Sequence, residues 1–156
     1  MGKINFLKVF ISIFFISQFS WAWNLPDQIQ NSEGQVVKLE KDHVLLYFWA
    51  TWCPDCKHSL QTVLPQFPKD SLQIIAVNTD TTLKNIEEYR QTNKVNIVSI
   101  ADEDKKIRKE FKVFSVPTGV LLKKDKDQWV TLKTYIGDEV KAIPQDLPVA
   151  KPVVKK

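Results

Sequence analysis

Residues 48–60 read FWATWCPDCKHSL, and they hold both cysteines of the chain, Cys53 and Cys56, spaced C-x-x-C with His58 two positions beyond the second. Three chemistries fit such a pair: a redox couple, part of a metal site, or a structural staple. The residues just before it favour the first. Val44 to Trp49, VLLYFW, is a continuous apolar run too short for a helix, as in a strand buried on both faces. From Cys53 to about Leu64 the apolar residues Cys56, Leu60, Val63 and Leu64 recur near helical spacing, and Pro65 marks the limit of the helix or a kink. The cysteines therefore stand where a buried strand gives way to a helix. Amide groups of a first helical turn carry partial positive charge, so a cysteine there is held more readily as thiolate, the species that attacks disulfides. A second cysteine three residues along lies beneath the first and can displace a bound partner.

Outward from this junction the pattern keeps alternating. Leu72 to Val77, LQIIAV, is a second buried strand, and Thr81 to Thr92 places Leu83, Ile86, Tyr89 and Arg90 at amphipathic spacing, with a threonine as cap. A strand is expected at 96–100, then a charged helix opened by Asp102 and Asp104 with Ile107 and Phe111 on one side. Gly119 to Lys123 and Trp129 to Ile136, joined through KDKDQ, read as an antiparallel hairpin. In its second strand Trp129, Thr131, Lys133 and Tyr135 are expected on one face, and Val130, Leu132, Thr134 and Ile136 on the other. Parallel crossovers come first and a hairpin last.

At both ends the composition changes. Lys3 and Lys8 precede an apolar run from Val9 to Phe19, followed by Ser20, Trp21 and Ala22. Small residues at the third and first positions before a cut suit a signal peptidase, so residues 1–22 are expected to be a secretory leader cleaved after Ala22. A retained anchor is the alternative, but an 11-residue apolar core is short beside the ~20 residues of a membrane span. Export places the pair in an oxidising compartment, periplasmic or otherwise outside the cytosol, with a weak membrane association as a secondary expectation. The other end, Ile143 to Lys156, reads IPQDLPVAKPVVKK; its prolines predict a flexible tail over 144–156 and a domain spanning 23–143.

Charge excludes one class of partner. The formal net charge is +4, from 22 basic and 18 acidic residues, and it falls to +2 without the leader's two lysines. Lys123, Lys124 and Lys126 alternate with Asp125 and Asp127, and no arginine-rich stripe interleaved with aromatics would track a phosphate backbone. Nucleic acid is not an expected partner. His43 and His58 are the only histidines, and His43 precedes the strand, so four ligands for zinc are not in evidence.

FWATWCPDC, together with Val116, Pro117 and Thr118 about sixty positions later, resembles the thioredoxin superfamily, and more closely its exported TlpA-like disulfide-reductase branch. GQVVKLE at Gly34 to Glu40, VNTD at Val77 to Asp80 and the order of elements extend the similarity over roughly residues 25–137. The resemblance implies a thioredoxin-like α/β fold: a central mixed sheet flanked by helices, here with a shortened or missing C-terminal helix. It implies that Cys53 is the nucleophile and Cys56 the resolving thiol. Pro117 would be a cis proline, and Trp52, Val116 and Pro117 would line the surface that binds substrate. The implied activity is reduction of protein disulfides through a mixed disulfide, with no cofactor. The implied partners are a disulfide-containing protein and a membrane-embedded dithiol donor. A copper chaperone, or an adaptor holding substrate in the same groove, is the alternative.

Departures from that pattern concern the proton. Tyr47, six positions before Cys53, and Ser59, three after Cys56, stand where the family often has a carboxylate, and Gln61 replaces a usual proline. Proton removal from Cys56 then falls to water, Lys57, His58 or Asp55. A negative Asp55 between the cysteines opposes thiolate formation, which suits a reductase more than a strong oxidant.

Overall fold

The structure is a computed structural model that describes residues 28–31 and 34–147. The leader expected over 1–22 and the stretch 148–156 lie outside the described residues. Two short strands, β1 (Gln28–Gln30) and β2 (Val36–Lys38), pair antiparallel and form a sheet of their own. The main sheet contains β3 (His43–Trp49), β4 (Leu72–Asn78), β5 (Ser99–Ala101), β6 (Thr118–Asp125) and β7 (Gln128–Ile136). Its order is β5-β4-β3-β6-β7, with β3 parallel to β4 and β4 parallel to β5, while β6 and β7 run antiparallel. Crossovers supply the parallel half and a hairpin the antiparallel half, as the alternation of runs along the chain predicts.

All seven residues of β3 are buried, because the strand is central and both faces are covered. Leu45, Tyr47 and Trp49 point into one core with Leu60, Leu64, Ile86, Val140 and Ile143. Val44, Leu46 and Phe48 point into the other with Ile75, Val77, Ile100, Val113 and Leu122. α2 (Leu83–Asn93) contributes Ile86 to the first core. The partly buried Ile107 of α3 (Lys106–Glu110) and its neighbour Phe111 pack on the second. Thr82 occupies the cap position of α2, but its hydroxyl makes no capping bond, and the Leu83 amide donates to Glu103 at 3.4 Å. Asp102 does act at the start of α3: its two oxygens accept the amides of Ile107 (2.8 Å) and Arg108 (3.0 Å).

The expected helix at the cysteines is present but changes its winding. α1 (Pro54–His58) continues as a π-turn over Ser59–Val63 and a 3-10 turn over Leu64–Gln66. Pro65 has no amide to donate to the carbonyl four residues earlier, so α-geometry cannot persist there, and the Leu64 amide reaches back to Ser59 instead.

Two sequence expectations need correction. In β7 the alternation is interrupted: Leu121 pairs with Lys133 and Leu122 with Thr131, so Leu132 is an extra residue in a β-bulge. The bulge shifts the phase of the strand, and Trp129 joins the second core while Tyr135 joins the first, rather than sharing a face. At the other end the chain does not leave the fold at Pro144. A 3-10 turn, Gly137–Ala142, leads into α4 (Ile143–Asp146), with Pro144 in its first turn, where no amide is required. Ile143 and Leu147 are buried in the first core. The C-terminal helix is thus shortened to four residues rather than absent.

Candidate active site

Cys53 and Cys56 form a disulfide at the end of β3, with Cα atoms 5.2 Å apart. Cys53 is the N-cap residue of α1, in extended conformation, and its sulfur accepts the Cys56 amide at 3.1 Å. The side chain thus takes the place that an oxygen fills in an ordinary cap, and the donor that meets it favours negative charge on that sulfur after reduction. Cys53 keeps 5% exposure and Cys56 none, so what solvent access the pair has belongs to Cys53.

The loop before Cys53 is fixed from a neighbouring strand end. Asp80, just after β4, accepts the Thr51 amide (3.0 Å), the Thr51 hydroxyl (2.6 Å) and the Asn78 side-chain amide (2.9 Å). Thr79 donates its amide to the Trp49 carbonyl at 3.0 Å. VNTD therefore buttresses the loop that carries Trp52, which itself stands 70% exposed.

Across the disulfide, the Val116–Pro117 peptide is cis. Pro117 is buried and Val116 half-buried. The turn is tied at both sides: the Thr118 hydroxyl donates to the Ser115 carbonyl (2.8 Å), and the Gly137 amide to the Pro117 carbonyl (2.9 Å). Sixty-odd residues of intervening chain are closed by β6 pairing with β3, where Thr118 lies opposite Phe48.

Tyr47 and Ser59, the two departures from the expected carboxylates, come together inside the first core beneath the helix. Burial pushes the Tyr47 hydroxyl up to about 12; the nearby Ser59 pulls it partly back and the charge of Asp55 adds to the rise. The hydroxyl makes no hydrogen bond of good geometry among the described residues. A phenol in that state is a neutral group at physiological pH, not a base.

A hollow of about 160 Å³ opens beside Ser59 and Pro117, with Asp55, His58, Asp138 and Lys141 on its walls. Two of the groups considered for proton removal, Asp55 and His58, line it; Lys57 does not. Asp138 and Lys141 come from the turn after β7 and were not legible as site neighbours. Lys141 donates to Asp138 at 2.6 Å and holds that carboxyl below the usual carboxylate range. His43 begins β3, the strand whose far end leads to the cysteines, and its imidazole is buried. Among the described residues no group of three or more histidine, cysteine or acidic side chains could hold a metal ion.

Comparison with known proteins agrees with this geometry. The chain is 30% identical over 98 residues to sporulation thiol-disulfide oxidoreductase A of Bacillus subtilis, covering 58% of this chain and 59% of that protein. It is 27% identical over 128 residues to thiol-disulfide oxidoreductase ResA of the same organism, covering 78% and 70%. The crystal structure of StoA from Bacillus subtilis superimposes with a TM-score of 0.59 at 26% identity, over 73% of this chain and 92% of that one. The chain spans 59% of the length of the sporulation protein. A family profile described as thioredoxin-like matches residues 41–127, which run from the start of β3 into the β6–β7 turn and include both cysteines and the cis peptide; the chain belongs to that family.

Proposed function

We propose that this protein is an exported thiol-disulfide oxidoreductase that reduces protein disulfides. The observation that carries the reading is the Cys53 side chain: its sulfur caps α1 and accepts the Cys56 amide, and of the two cysteines only Cys53 keeps any exposure. In the reduced protein the Cys53 thiolate attacks one sulfur of a substrate disulfide. A mixed disulfide forms and the other substrate sulfur leaves as a thiolate, which takes up a proton. Cys56 loses its proton and attacks Cys53, closing the intramolecular disulfide and releasing the second substrate thiol. Two electrons and two protons have then passed to the substrate. A second dithiol protein, membrane-embedded by analogy with the resembled branch, must restore the reduced pair.

Trp52, Val116 and Pro117 form the surface on which the substrate rests, a reading supported by the exposure of Trp52 beside Cys53, by the hollow that Trp52 shares with Val116 and by the one that Pro117 shares with Asp55 and Ser59. Proton removal from buried Cys56 runs through water in the hollow beside Ser59, with Asp55 and His58 at its wall, because Tyr47 stays protonated. The negative charge of Asp55 disfavours the thiolate form and supports the reducing direction, which equilibration with glutathione would measure. Export rests on the charged, then apolar, first 22 residues.

Trapping tests the assignment. Cys56→Ala should leave Cys53 in stable mixed disulfides with natural substrates, separable on non-reducing gels and identifiable by mass spectrometry, while wild type reduces insulin disulfides. If Cys53→Ala accumulates adducts and Cys56→Ala does not, the two roles are exchanged.

A further inference from the structure

Against Trp52 and Val116 of the proposed substrate surface lies a second hollow, of about 100 Å³, whose other walls have no part in the steps above. Trp52, the residue before Cys53, and Val116, the residue before the cis proline, line it together with Thr79, Phe114 and Arg108. That volume is about three waters' worth of space, or one apolar side chain. Phe114 is 94% exposed and Trp52 70%, the two most exposed large apolar side chains among the described residues, and they stand on the two loops that flank the disulfide. Water-exposed aromatic surface gains about 25 cal/mol per Å² when covered, so this pair is suited to a partner's apolar side chain.

Arg108 gives the hollow a charge preference. Its side chain is 28% exposed, and the nearest carboxylate oxygen, on Asp102, lies 4.0 Å from Nε. The Asp102 oxygens are already occupied by the amides of Ile107 and Arg108. Nε is engaged in that long ion pair, which is beyond hydrogen-bond distance, and the terminal N–H groups make no hydrogen bond among the described residues, so they are open to an incoming acceptor. Around it, residues 102–112 read DEDKKIRKEFK, five cations against four carboxylates, with Asp104 paired to Lys106 and Asp102 to Arg108, so the preference for an anion comes from the open donors of the guanidinium itself. Both loops are held before any substrate arrives, one by Asp80 on Thr51 and the other by Thr118 on Ser115.

We propose that this hollow selects the substrate: an extended segment whose reacting cysteine adjoins a large apolar residue, with an Asp or Glu one or two positions farther on. Extended chain advances about 3.3 Å per residue, and Arg108 lines the same hollow as Trp52 and Phe114, so a carboxylate one or two residues beyond the apolar side chain stays near the guanidinium. The selection rests on the redox reading above and adds to it a class of protein substrate. An Arg–carboxylate pair in such a partly dry setting is the stronger kind of hydrogen bond, and about tenfold in kcat/KM is the expected preference.

The test uses the reduced full-length protein and two peptides, each joined through the cysteine of a Cys-Leu pair to glutathione by a disulfide. In both, the leucine directly follows the cysteine, and they differ only in an Asp or a Lys one residue beyond that leucine. Wild type should reduce the Asp peptide about tenfold more efficiently, and the ratio should shrink as salt rises. Arg108→Glu should invert the ratio, and Phe114→Ser, at an exposed position that cannot unfold the core, should lower kcat/KM for both peptides. An unchanged ratio in Arg108→Glu together with unchanged rates in Phe114→Ser overturns the selection and leaves the redox reading standing. Wild type that fails to reduce hydroxyethyl disulfide, which carries neither feature, overturns the redox reading and the selection with it.

Discussion

Tyr47 shows how far one residue can be read before its surroundings are known. Its position six before Cys53 identifies it as a departure from a carboxylate, but sequence spacing does not reveal that Ser59 arrives beside it or that its hydroxyl is left without a hydrogen-bond partner. An unpaired buried hydroxyl costs about 1–3 kcal/mol of desolvation, so Tyr47→Phe should leave stability to urea unchanged or raise it by about 1 kcal/mol. The same variant isolates a pH effect. The folded hydroxyl is raised to about 12 from an ordinary 10, so the neutral form is favoured by the fold. Its contribution is complete below pH 10 and is lost as pH rises through 12. Between these values wild type should lose stability faster than Tyr47→Phe, measured as urea midpoints at matched pH; parallel curves would show that Tyr47 does not titrate in that window. Cys53 and Cys56, by contrast, were fully legible, because their placement depends only on the strand and helix that adjoin them.

Elements were legible where a single period governs them and illegible where two constraints meet. β3 and β4 appear within a residue of their expected limits, since continuous apolar runs have no phase to misread. β7 has a phase, and Leu132 breaks it. No single-strand pattern signals the bulge, because its cause is the need to bury Trp129 on one core and Tyr135 on the other against the fixed partner β6. The helix after Cys53 likewise depends on Pro65, which the sequence marks, and on a π-turn at Ser59–Val63, which it does not. VNTD was visible as a motif, but its role as a brace appears only when β4 lies parallel to β3 and brings Asp80 to Thr51. Asp80→Ala removes two bonds to Thr51 and one from Asn78. Since Asp80 is exposed, the global cost should be only about 1 kcal/mol, while amides of residues 51–53 should exchange with solvent about tenfold faster. Unchanged exchange in that loop would mean that Thr79 and the chain geometry hold it without Asp80.

At the scale of the molecule, sequence order predicts the mixed sheet, while Pro144, where a tail is expected to start, lies inside a helix, because a proline in a first turn does not break one. Pro144 sits in the first turn of α4, where it is tolerated, and the four-residue helix closes over the first core. Its closure involves close approach: a Cβ on Gly119 would stand 3.1 Å from the Ile143 Cδ1 and 3.3 Å from that of Leu45, so any larger residue there would make those side chains give way by a few tenths of an ångström. Asp146 then fastens the end of the helix to β7, accepting from the Tyr135 hydroxyl and from the Lys133 ammonium, each at 2.8 Å. The Lys133 and Tyr135 hydrogen bonds hold the Asp146 carboxyl below its ordinary range, and burial together with the same carboxylate raises Tyr135. A depressed carboxyl contributes stability above its unfolded value of about 3.9, and that contribution is lost as pH falls through the lower folded value. Asp146→Asn keeps an acceptor for Tyr135 but removes the charge that Lys133 meets. Wild type should therefore melt above the variant at neutral pH, and the gap should close below about pH 4. Thermal unfolding at pH 7, 5 and 3 measures it, and a gap that persists undiminished at pH 3 would mean that the charge of Asp146 does not fasten α4 to the sheet.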